Sequence, residues 1–219
     1  MKYFRMSLAF SAALLIGQAA RADIYAYSSS GSNPAQGWQG NLGLDFDVNT
    51  AIQVTALGVY DFNGSGLVSA DNRVQVDIYN RDTQSIVTPI AVFMPGTAYA
   101  LAPGGHDILQ AITPTLLGVG HYSVVTFAFS STFPNSNTNG GVSTSGTDSG
   151  GGQISFVGGA RYDSNTETAD FPTTIDGGPY NRYDSGTFAF VTATPEPGFY
   201  GLLGLGLSGL FVAVRRRRA

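Results

Sequence analysis

Leu42-Gly43-Leu44-Asp45-Phe46-Asp47-Val48 decides the fold class. Leu42, Leu44, Phe46 and Val48 alternate with Gly43, Asp45 and Asp47. An extended chain turns successive side chains to opposite faces, so this stretch reads as a strand with one buried face. Outward from it, Ile52 to Phe62 is a second candidate, and Val74, Val76 and Ile78 alternate with Gln75 and Asp77. Further runs are Ile86 to Met94, His121 to Ser130, Gln153 to Val157 and Thr187 to Thr192, separated by Gly, Pro, Asn, Asp and Ser. One helical window, Gly105 to Ile112, is too short to carry weight. Strands at this spacing without helical partners predict an all-β chain, an antiparallel β-sandwich. Jelly-roll connectivity is preferred to the immunoglobulin-like alternative.

Both ends lie outside that pattern. Lys2 and Arg5 form a basic region, Met6 to Ile16 an apolar one, and Ala20-Arg21-Ala22 an A-x-A-type cleavage site with Asp23 as the new N-terminus. Residues 1–22 therefore read as a signal peptide removed by signal peptidase, which leaves a body of residues 23–194. At the other end stand Pro195-Glu196-Pro197, an uncharged run from Phe199 to Val214, and Arg215, Arg216, Arg217 and Arg218. As a helix at roughly 1.5 Å per residue, Phe199–Val214 covers about 24 Å, short of the roughly 30 Å hydrocarbon core. Tyr200 and the snorkelling arginine stems extend its reach, and the arginines act as a stop on the cytoplasmic side.

Those three parts, in that order, resemble the tail of bacterial PEP-CTERM proteins over residues 195–219. The resemblance implies recognition by an exosortase, a membrane transpeptidase, with cleavage near Pro195–Pro197. It also implies a stage in the inner membrane before processing. The destination it implies is the cell surface or extracellular polysaccharide matrix of a Gram-negative bacterium.

The formal net charge of −4 conceals an acidic body. Setting Glu196 aside, 14 acidic side chains face only four basic ones, Arg73, Arg81, Arg161 and Arg182, a balance of −10. Such a surface repels nucleic acid. The chain has no cysteine, which excludes disulfides, thiol nucleophiles and thiolate metal sites. Asn135 to Gly152 holds 16 Ser, Thr, Asn or Gly among its 18 residues and predicts a flexible loop at one end of the sandwich.

A second resemblance covers about residues 37–130. Trp38-Gln39-Gly40-Asn41-Leu42-Gly43, Asp45-Phe46-Asp47-Val48 and Val54-Thr55-Ala56-Leu57-Gly58-Val59-Tyr60-Asp61 are similar to a β-sandwich module of bacterial surface proteins and extracellular enzymes. The likeness is to carbohydrate-binding-type jelly rolls and bears on fold more than on activity.

Asp61, Asn63 and Ser65 occupy alternate positions of a loop with Gly66 sixth, the opening of a calcium loop, and Asp71 is a further carboxylate. Ser65 replaces a carboxylate and Asn72 the usual glutamate, and an Asx/Gly-rich turn needing no ion is the preferred reading of the pattern. Trp38 is the one indole of the chain, a candidate sugar platform or a packing residue. Arg161-Tyr162-Asp163 and Arg182-Tyr183-Asp184 repeat a three-residue pattern, read as two similar strand ends. His106 and His121 have no metal-ligand spacing, and the nucleophile elbow Gly-x-Ser-x-Gly is absent. The expectation is a non-catalytic exported surface or matrix protein with no obligate cofactor. A calcium-assisted carbohydrate-binding module is the alternative, and a secreted hydrolase comes third.

Overall fold

The computed structural model describes residues 22–193 except 30, 32–33, 68–72 and 138–145, and in addition residue 204. Both sorting segments therefore fall outside the described residues, apart from Ala22 and Gly204. Among the described residues no helix is long and apolar enough to cross a membrane.

The described chain is all-β. Its strands are β1 (Ile24–Tyr25), β2 (Tyr27–Ser28), β3 (Ala35–Gln36), β4 (Asn41–Val48), β5 (Ile52–Tyr60) and β6 (Val74–Asn80). There follow β7 (Ser85–Ile86), β8 (Ala91–Phe93), β9 (Ala100–Leu101), β10 (Asp107–Leu117), β11 (Gly120–Phe127) and β12 (Asn135–Asn137). The last are β13 (Gly146–Thr147), β14 (Ile154–Tyr162), β15 (Thr174–Asp176), β16 (Tyr183–Asp184) and β17 (Gly186–Thr192). One sheet has the order β1-β17-β5-β10-β9. The other runs β15-β14-β4-β11-β6-β7, with β8 also on β6. Their pairings are antiparallel.

The alternation in β4 does what it predicts. Leu42, Leu44, Phe46 and Val48 are at most 1% exposed and join the core, leaving Asn41, Gly43, Asp45 and Asp47 on the opposite face. Phe46 meets Phe188 of β17 at 4.6 Å between ring centroids, and Tyr122 of β11 stacks on it at 5.8 Å. Tyr27 and Phe190 flank Phe188 at 6.5 and 5.8 Å, so an aromatic seam joins the two sheets.

In β5 the apolar phase slips. Ile52 and Val54 are buried, and so are Leu57 and Val59, an odd step later. Both neighbours absorb the slip: the ladder with β17 shifts between Ala189 and Phe190, and that with β10 between Ala111 and Thr115. A one-residue irregularity lets both halves of β5 face the core. Gly58 is required nearby, since a Cβ there would lie 2.6 Å from Thr187 Cγ2 and 2.7 Å from Leu109 Cδ2.

The helical window at Gly105–Ile112 lies largely in β10, the longest strand. The stretch 135–152 is not a loop throughout, because it opens with β12, whose Asn135 and Ser136 are fully buried, and it contains β13. Polar side chains replace the missing apolar area: Asn135 Nδ2 donates to Gln36 Oε1 (3.1 Å), its Oδ1 accepts from Trp38 N (3.3 Å), and Ser136 bonds the Tyr60 hydroxyl (3.4 Å). Buried polar groups satisfied in this way are tolerated.

Phe188→Ala removes the ring at the centre of the seam. It is expected to destabilise the protein by roughly 3–5 kcal/mol, read from the urea midpoint at unchanged slope.

Candidate functional site

The outer face of the larger sheet carries a cluster of buried polar side chains, Asn41, Asp45, Asp77 and Ser123. Asp45 of β4 is 3% exposed, and Arg161 Nε reaches both its oxygens at 2.9 and 2.8 Å. Arg81 Nη1 lies 3.3 Å from Asp45, and Arg81 Nη2 pairs with Asp47. His121 Nδ1 adds a contact to Asp47 at 2.9 Å. Two arginines on one buried carboxylate supply the compensation that a lone buried charge lacks. The Arg161 guanidinium also sits 5.1 Å over the Phe171 ring, and Tyr79 lies 5.7 Å from that ring on the sheet below.

Phe171 belongs to a strap, residues 163–173, that joins β14 to β15. Asn41, fully buried at the start of β4, anchors it. Asn41 Nδ2 lies 2.8 Å from Asp170 Oδ1, 3.1 Å from Asp163 Oδ1 and 3.2 Å from the Thr168 carbonyl, and Asn41 Oδ1 accepts from Asp170 N at 3.1 Å. Asn165 Nδ2 ties Thr168 Oγ1 (2.6 Å) and Asp170 Oδ2 (2.8 Å). Burial pushes the Asp170 carboxyl above its ordinary value, reinforced by neighbouring Asp163 and opposed by the Asn165 hydrogen bond.

A cleft of about 430 Å³ opens between this strap and the sheet. Gln75, Val92 and Phe127 are among the sheet residues lining it, Ala128 lies at its edge, and Glu167 comes from the strap and Arg73 from the start of β6. Ala128 has φ +72°, a left-handed conformation that costs a residue with a Cβ about 1 kcal/mol or more. Arg73 and Glu167 are exposed, and neither forms an ion pair among the described residues. Gln75 Nε2 donates to Asp77 Oδ2 at 2.9 Å. Burial pushes the Asp77 carboxyl up to about 6, against the opposing Gln75 hydrogen bond.

The residues singled out from sequence are not gathered at this cleft. Trp38 is partly buried on the core. Its Nε1 donates to the Asp163 carbonyl at 2.9 Å, and its ring meets Tyr162 edge-on at 5.9 Å. It therefore packs and anchors the strap. Asp61 is 1% exposed and its carboxylate accepts from Gly66 N at 2.7 Å, while Asn63 and Ser65 are exposed. The described part of that loop is an Asx-type turn closed on itself. Asp71, Ala20, Pro195, Glu196, Pro197 and Arg215–Arg218 lie outside the described residues. Ala22 and Asp23 are exposed just before β1. Of the repeated tripeptides, Arg161 pairs with Asp45 and Arg182 with Asp176 at 2.9 Å, so both arginines hold structure together. Among the described residues no group of three or more His, Asp or Glu side chains is placed to hold a metal. Sequence reading passed over Asn41 and the strap. Their signal is the run of oxygen-bearing side chains Asp163, Asn165, Thr168 and Asp170, the same kind of spacing noted at Asp61.

Residues 193–218 match the family model described as the PEP-CTERM protein-sorting motif. The chain carries a PEP-CTERM sorting motif at its C-terminus. That motif implies processing by an exosortase, and PEP-CTERM proteins are exported and sorted to the cell surface. No curated protein matches the sequence.

Asp77 gives a pH test of the buried face. Its folded carboxyl holds a proton up to about pH 6, whereas the ordinary value is 3.8. The folded state therefore binds more protons between those values, and stability falls as pH rises through that window. Asp77→Asn is expected to flatten the slope between pH 4 and 6 and to stabilise the protein at pH 8 by roughly 3 kcal/mol. Urea unfolding at a series of pH values measures both.

Proposed function

We propose that this is a non-catalytic exported protein, displayed at the cell surface or within an extracellular polysaccharide matrix of a Gram-negative bacterium. Its route passes through the inner membrane, where signal peptidase and an exosortase-type transpeptidase act on its two ends. The observation that carries this reading is the sorting motif over residues 193–218. The exposed chain at Ala22–Asp23 suits a cleavage point just ahead of the folded body.

We infer further that the body is a β-sandwich of jelly-roll type. Strands β1-β17-β5-β10 in one sheet and β4-β11-β6-β8 in the other follow the order in which two Greek keys wrap, with β14–β15 an added hairpin outside β4. Three features support a non-catalytic role and no nucleic-acid partner. Asp45 and Asp47 are neutralised by arginines. Neither histidine bonds a serine or threonine hydroxyl among the described residues. Of the body's four arginines only Arg73 stands outside an ion pair, which leaves no basic track for a phosphate backbone.

Intact mass of the protein from its native host, taken by cell fraction, tests the route. The expected result is a chain ending near Pro195–Pro197 in the envelope or medium. An uncut tail in the inner membrane overturns it.

The cleft favours a second reading, a carbohydrate-binding module. Its Phe127 ring and Val92 offer an apolar platform beside the unpaired Arg73 and Glu167 and the Gln75 amide, the mixture that a sugar presents in reverse. On that reading Arg73→Ala weakens binding of a soluble oligosaccharide roughly tenfold by calorimetry. A panel of neutral and acidic oligosaccharides that all fail to bind removes it.

A further inference from the structure

We propose that a single divalent cation, calcium by its chemistry, binds in a small pocket lined by Asp107, Asp184, Ser185, Ser28 and Ser29. The site lies where β10 and β17 begin and β2 passes beside them, away from the cleft and next to the strand end that leads into the Asp61 turn. The proposal is independent of the sorting route.

The pocket holds about 10 Å³, room for one water-sized occupant. Asp107 and Asp184 in its wall are only 5% and 3% exposed. Asp107 forms no ion pair among the described residues, where its carboxylate accepts a single hydrogen bond, from Ser29 N to Oδ2 at 3.0 Å. Burial pushes its carboxyl up to about 7, and nearby Asp184 and Asp61 push the same way. A buried carboxylate facing like charges needs a positive partner or a proton.

A second observation points to an occupant. Ser185 is 3% exposed and lines the same pocket, yet its Oγ has no hydrogen-bond partner. Orphaned buried hydroxyls call for an explanation, and an unseen ion or water is the usual one. Water would satisfy Ser185 Oγ but leave the charge on Asp107 without an ion-pair partner among the described residues. A cation does both.

The side-chain donors of the wall are all oxygens, two carboxylates with serine and tyrosine hydroxyls. That set selects a hard cation. Magnesium keeps several waters and demands near-octahedral geometry, which suits an irregular wall of carboxylates and hydroxyls poorly. Calcium accepts irregular sets of carboxylate, hydroxyl and carbonyl ligands. With only two carboxylates in the wall, binding belongs to the weaker, extracellular range.

Tyr27 and Tyr183 in the wall make the site readable by terbium, a calcium substitute that tyrosine sensitises. The purified full chain, stripped with a chelator, is titrated with terbium alone and then with calcium as competitor. The expected result is one saturable luminescent site displaced by millimolar calcium, with calcium also raising Tm. Asp107→Asn should weaken terbium at least tenfold and abolish the calcium-dependent rise in Tm. Ser185→Ala, which removes only a hydroxyl, should weaken it severalfold in a protein that still folds. No calcium-dependent change in Tm overturns the proposal, as does binding unaltered in both variants. Binding that survives Asp107→Asn but disappears in Asp163→Asn overturns it too, because the ion then sits in the strap.

Discussion

The contact between Phe46 and Phe188, 4.6 Å between ring centroids, fixes how the two sheets face one another. Both rings are fully buried, and Tyr27, Tyr122 and Phe190 close around them. Once Phe46 points into that seam, the two-residue period of β4 leaves no freedom for its neighbours. Asn41, Gly43, Asp45 and Asp47 must occupy the other face. The polar layer on the outside of the larger sheet is thus a consequence of the apolar layer inside it.

That outer layer is then covered, which is what makes its charges costly. Asp45 and Asp77 are 3% and 1% exposed although they project from the face of the sheet opposite the apolar core. The scarce cations are spent here: Arg81 and Arg161 serve Asp45, and Arg81 and His121 serve Asp47. Asp77 gets only the Gln75 amide, and its carboxyl consequently leans toward the neutral form. The strap's Phe171 completes the cover by lying across Tyr79 and under the Arg161 guanidinium.

Residues whose environment is set by local alternation were legible in the sequence. The run Leu42–Val48 and the alternation Val74-Val76-Ile78 place their side chains as strand periodicity requires. What failed to show was non-local. Nothing near Asn41 in sequence signals that its amide will hold residues 163–170. Asn135–Asn137 reads as loop by composition, because the hydrogen bonds that pay for its burial come from Gln36, Tyr60 and Arg182. Trp38 was ambiguous for the same reason: the Asp163 carbonyl that fixes its indole lies 125 positions away. The C-terminal motif needed no such partners, and it was readable residue by residue.

The placement of β17 has a consequence for the order of assembly. It is the last strand among the described residues, yet it stands inside its sheet, between β1 and β5. Among the described residues Ile24 and Tyr25 pair with no other strand, and Phe188 of the central seam belongs to it. A ribosome delivers the chain from its N-terminus, so β5 keeps an open edge and β1 has no neighbour until residues 186–192 emerge. Closure of the body is therefore a late, single event rather than a gradual accretion, and until then the unfinished edge must be kept from pairing with other chains.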